Sequence, residues 1–155
     1  MKHIISLFII APLLFSSSYD FKLPHNYYEA KDYLQKHARK AKTSIYLRST
    51  HLNKDIKFIL KRAIKKQTPI YIVTNQPEKR DTFRYYKLFK KVNYFKIERE
   101  FTKAVFIFDE KTICYSSHYF IDAKNLEEDY YLHCEESSAL IKSELSQFKK
   151  DFLAN

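Results

Sequence analysis

Apolar residues recur at helical spacing from Asn26 to about Ala41, where Tyr27, Ala30, Tyr33, Leu34 and Ala38 share one face and Asn26 is placed to cap the start. Thr43 to Ser49 reads as a strand. A second helix runs from about Asn53 to Gln67, with Ile56, Ile59, Leu60, Ala63 and Ile64 on one side and Lys54, Lys57, Lys61 and Lys65 on the other. Pro69 ends it and opens a strand, Ile70 to Thr74. A third helix follows from about Arg80 to Lys91, turning Phe83, Leu88, Phe89 and Val92 inward. Tyr94 to Glu98 is a short strand. Lys103 to Asp109 is apolar on both faces and predicts a buried central strand. Thr112 to Ser116 and Asp129 to Cys134 complete the strands, and a helix from about Ser137 to Phe152 buries Leu140, Ile141, Leu145, Phe148 and Phe152. Tyr19 to His25 is left as a linker. The order predicts an α/β fold, a mixed β-sheet flanked by helices on both faces.

Composition changes this picture in three ways. The 155 residues suit one compact domain, and the glycine count is 0, where average usage of about 7% would give roughly eleven. Phosphate-cradling loops, dinucleotide fingerprints, calcium EF-loops and the GxSxG elbow all need glycine and are excluded. Lys+Arg is 28 against Asp+Glu 18, a net charge of +10, which attracts polyanions. Met1 to Ser18 reads as a secretory signal: Lys2 and His3 precede the apolar run Ile4–Phe15, and Ser16 and Ser18 precede a cleavage point near Tyr19. The run falls short of the ~20 residues a spanning helix needs, so a periplasmic or secreted protein is expected, held at a membrane only through an uncleaved signal. Residues 19–155 would then form the domain. Cys114 and Cys134 are too few for a disulfide scaffold or a four-thiolate zinc site. An oxidising setting lets them pair if their strands are neighbours, but the preferred reading is two small buried hydrophobes.

Several strings, taken in order, resemble the phospholipase D superfamily, specifically its small, single-motif, bacterial nuclease-like branch. Ala41-Lys-Thr-Ser-Ile-Tyr resembles the family's first strand, and the run from Ile59 to Val73 its helix and turn into the second. Val105-Phe-Ile-Phe-Asp-Glu-Lys resembles the end of its signature strand, and Ser116-Ser-His-Tyr-Phe the segment after it. The resemblance spans roughly Ala38 to Phe152 and implies an α/β/α sandwich. It also implies chemistry built on His-x-Lys-x4-Asp, in which histidine attacks phosphorus and lysine stabilises the phosphoryl oxygens. Two residues apart on a strand, His and Lys face the same side. Anchored on Asp109, those positions hold Thr102 and Ala104, and neither residue can perform the role. A one-residue bulge would substitute Phe101 and Lys103, restoring only the lysine. In the following segment Ser117 remains as a phosphate-contacting hydroxyl, while Tyr119 stands where the family has asparagine. Asp129 or Glu128 falls near the family's supporting acid, without a histidine to support. His118 is the only displaced nucleophile to propose, and strand alternation would turn it away from Ser117 and Tyr119. Asp109 itself reads as a turn residue at the strand end.

The resemblance therefore implies a degenerate motif. The favoured function is a non-catalytic domain that binds a phosphate-rich polymer, DNA first, through Lys57, Lys61, Lys65, Arg80, Arg84 and Lys87. Some tyrosines are candidates for a stacking platform for single strands. The alternatives are an active, metal-independent phosphodiesterase with a rearranged site, and a regulatory or scaffold partner of an intact paralogue. The family further implies a homodimer, or a heterodimer with a catalytic paralogue. No cofactor and no metal site are expected.

Overall fold

A computed structural model describes residues 17–50, 52–75, 80–99, 101, 103–118, 120 and 129–153, with the backbone alone for 80–83. The chain order is β1 (Tyr19–Leu23), α1 (Tyr27–Lys40), β2 (Ile45–Arg48), α2 (Lys54–Lys65), β3 (Ile70–Thr74), α3 (Arg80–Lys87), β4 (Val92–Lys96), β5 (Ala104–Phe108), β6 (Thr112–Ser116), β7 (Tyr130–Glu135) and α4 (Ser138–Leu153). The strands form one sheet in the order β1-β7-β6-β5-β2-β3-β4. β2, β3 and β4 run parallel, each linked to the next through a helix, and β5, β6, β7 and β1 continue antiparallel. This is the mixed α/β sandwich that the pattern predicts.

Strand alternation divides the core. Ile45, Leu47, Ile70, Ile72, Phe106 and Leu132 face α1, α2 and α3. Val73, Val105, Ile107 and Ile113 face α4, where Ile141 and Phe148 meet them. All five residues of β5 are buried, as expected for a strand covered on both sides. Asn53 caps α2 through its side chain, which accepts the amides of Asp55 and Ile56 at 3.0 Å each. Asn26 occupies the cap position of α1 without a side-chain cap bond.

Three expectations need correction. The supposed linker is the edge strand β1, paired along its whole length with β7, as in Leu23↔Tyr130. Only Leu23 in it is fully buried, so its strand character comes from a partner more than a hundred residues away rather than from local pattern. Helix α3 stops at Lys87 because the chain closes it with Leu88 N–H donating to the Tyr85 carbonyl and Phe89 N–H to that of Tyr86. β4 accordingly begins at Val92, and Leu88 is 77% exposed rather than inward. Finally, Cys114 and Cys134 are disulfide-bonded. They stand directly opposite each other on β6 and β7, with Cα atoms 4.0 Å apart, a register that a sequence does not reveal.

Candidate functional site

The expected motif lies where the chain enters β5, at the edge of the sheet reached by the C-terminal ends of β2 and β3. Thr50 Oγ1 donates to the Phe101 carbonyl at 2.6 Å, and the Asn75 amide donates to the carbonyls of Arg99 and Phe101 at 3.4 and 3.3 Å. Thr102, Tyr119 and Glu128 lie outside the described residues, as do His51 and most of the expected signal segment. Ala104, at the motif's lysine position, is buried on the α1–α3 face. At the other end of β5, Asp109 accepts the backbone amides of Lys42, Thr43 and Ser44 and the Thr43 hydroxyl, at 2.8 to 3.2 Å. Partial burial raises its pKa, but the bonds from Thr43, Lys42 and Ser44 together outweigh that and hold the carboxyl below its ordinary range. Asp109 thus ties the β5–β6 turn to the loop before β2.

Ser117 and His118 follow β6 and are exposed; Ser117 Oγ and His118 Nδ1 share a hydrogen bond of 2.9 Å. β6 ends at Ser116, whose hydroxyl donates to the His118 carbonyl, so the alternation expected to turn His118 away does not extend to it. Its ring lies 5.3 Å from that of Tyr130, a residue buried on the α1–α3 face. Lys103 goes to the other face, its Nζ 3.9 Å from Glu144 and 5.8 Å from the centre of the Tyr115 ring. The imidazole and the ammonium thus contact side chains on opposite faces of the sheet. Asp129 does have a histidine beside it, contrary to expectation: His25 Nε2 is 3.4 Å away, and Lys22 Nζ lies at 2.7 Å. The bond with Lys22 lowers the Asp129 pKa and raises that of Lys22. This contact exists because Tyr19–Leu23 is a strand beside β7.

The basic residues fall into two groups. Lys57 lies over the Tyr85 ring at 4.8 Å, which sets α2 beside α3, and Lys61, Lys65, Arg84 and Lys87 are exposed on these helices. Arg80 opens α3, and its side chain is outside the description. The second group was not expected. Arg48 on β2, 4% exposed, points under α4; it pairs with Glu144 and lies 3.7 Å from Asp151. Its guanidinium sits between the rings of Phe148 and Phe101, 5.1 and 6.0 Å from their centres. Arg99 donates to both oxygens of Asp151 at 2.9 and 3.2 Å, and Gln147 donates to one at 2.9 Å. Glu144 and Asp151 lie at helical spacing with Ile141 and Phe148, the signal that could have marked them as inward carboxylates needing a cation.

No family model matches the chain, and no curated protein matches it. Solved structures do. NucT from Helicobacter pylori superposes with a TM-score of 0.75 at 16% identity, covering 88% of this chain and 96% of its own. Nuc from Salmonella typhimurium, a phospholipase D family member, superposes with a TM-score of 0.66 at 19% identity, covering 88% and 94%. The fold is that of the phospholipase D family. TrmBL2, an archaeal chromatin protein whose structure shows a mode of DNA binding, shares it at a TM-score of 0.63 and 11% identity, over 88% of this chain and 52% of its own. The near-complete coverage of NucT and Nuc places the resemblance on the whole phospholipase D sheet rather than on a fragment.

Proposed function

We propose that this chain is an exported, non-catalytic phospholipase D-like domain that holds a phosphate-rich polymer, DNA before others, on the lysine ridge of α2 and α3. The observation that carries the reading is the Lys57–Tyr85 contact, which brings α2 to α3 where each helix exposes cations, Lys61 and Lys65 on one and Arg84 and Lys87 on the other. Such contacts are sequence-independent and sensitive to salt. Loss of catalysis is supported by Ala104, which has no ammonium to offer, and by the separation of Lys103 and His118 onto opposite faces. Export is supported by the apolar segment before Tyr19 and by the disulfide buried between β6 and β7, a bond that persists in oxidising compartments.

A phosphodiesterase with a rearranged site is the second reading, favoured by the exposed Ser117–His118 pair beside the strand ends. One assay separates the two. Purified wild type is expected to leave a labelled DNA duplex and a generic phosphodiester intact, while Thr102→His with Ala104→Lys gains weak hydrolysis. Turnover by the wild type that disappears in His118→Ala would replace the first reading with the second.

A further inference from the structure

The lysine ridge occupies one face of the sheet, and a second cationic groove occupies the other. Between α4 and the edge of the sheet lie two adjoining clefts of about 570 and 590 Å³, which share Arg99, Gln147 and Lys150. Lys103 opens onto the first and Lys96 onto the second. Three carboxylates line the same walls: Glu144, Asp151 and Glu98. Glu144 and Asp151 are already committed, since buried Arg48 contacts both and Arg99 grips Asp151. The side chains of Lys103 and Arg99 are nevertheless 53% and 49% exposed, and Lys96 and Lys150 are exposed as well. The groove thus keeps a surplus of positive charge at its mouth, with serine hydroxyls from Ser143 and Ser146 on its wall. Arg48 lies beneath it with its guanidinium against both of those carboxylates, Glu144 and Asp151.

We propose that the domain bridges two segments of DNA, one on the α2–α3 ridge and one in the α4 groove. This rests on the polyanion reading above and extends it. A three-layer sandwich puts the two surfaces on opposite sides of a body with a radius of gyration of about 15 Å. Duplex DNA has a persistence length of about 50 nm, and even a 40–90° bend over 20–30 base pairs costs on the order of 1–6 kcal/mol. One short duplex therefore cannot follow the surface from the ridge to the groove, so filling both surfaces takes two.

The test uses the full chain, an immobilised duplex of about 20 base pairs and a second, fluorescent duplex of the same length, at low salt because phosphate contacts weaken steeply as salt rises. Wild type is expected to retain the second duplex on the first. Lys61→Gln with Lys65→Gln, and separately Lys103→Gln with Lys150→Gln, are expected to bind a single duplex more weakly but to lose retention of the second by about tenfold or more. Circular dichroism melting of each variant confirms that it is folded. Retention that survives in one variant and not the other means that two copies of a single face hold the two duplexes, retention that survives in both means that neither face does, and either result overturns the inference. Single-duplex binding by wild type without any retention also overturns it while leaving the polyanion reading intact. Failure of wild type to bind even one duplex removes both.

Discussion

Asp109 shows how one residue fixes a chain without glycine. It and Glu110 have φ of 53° and 55°, and Lys111 N–H closes their turn on the Phe108 carbonyl at 3.0 Å, the type I′ arrangement in which glycine or asparagine is usual. Asp tolerates the left-handed region, and its carboxylate gains the three amides of Lys42, Thr43 and Ser44. Because its folded pKa is depressed, Asp109 contributes stability that is present above the ordinary carboxylate range and is lost as pH falls through the folded pKa. Asp109→Asn keeps the φ tolerance and removes the charge. At pH 7 it should cost about 1–2 kcal/mol, the lower part of the range for charged hydrogen bonds because the site is partly open to water. Denaturant melts from pH 7 to pH 3 should show the gap between wild type and variant narrowing below about pH 4. An unchanged gap at pH 3 would sink the assignment.

Among elements, α4 holds to its reading and adds to it. The pattern places Leu140, Ile141, Leu145, Phe148 and Phe152 inward; Ile141 and Phe148 are buried, and the other three pack half-buried against their cluster. Between them, however, the helix carries Glu144 and Asp151 onto Arg48 of β2. Arg48→Met leaves both carboxylates without their buried partner and should destabilise by about 3–5 kcal/mol. Adding Glu144→Leu and Asp151→Leu should recover much of that loss, since a buried ion network and an apolar replacement are often close in energy. Urea melts that put Arg48→Met within 1 kcal/mol of wild type, on the order of the median for an exposed pair, would contradict the network.

The same elements mark the limit of sequence reading. Helices and buried strands with strong periodicity, such as α2 and β5, are legible because their pattern is local. β1, the Cys114–Cys134 bridge and the Arg48 network are not, because each exists only through a neighbour distant in sequence. Asp109 was legible as a turn residue, while the histidine beside Asp129 was hidden by reading β1 as a linker.

At the scale of the molecule, the chain keeps the sheet of the phospholipase D fold, with Ala104 buried where the resemblance places the motif's lysine. The chain carries 28 basic against 18 acidic residues, and part of that excess lies on α2 and α3 on one face and in the α4 groove on the other. Charge that serves only solubility would be spread over the surface, whereas charge that grips phosphates releases counterions when they bind. The most direct measurement is the affinity of the purified chain for a DNA duplex as a function of salt. With four to six ridge phosphates engaged, log K should fall against log salt with a slope of about −4 to −5, and Lys61→Gln with Lys65→Gln should shallow it by about 2. A slope near zero, or no binding at low salt, would contradict the account.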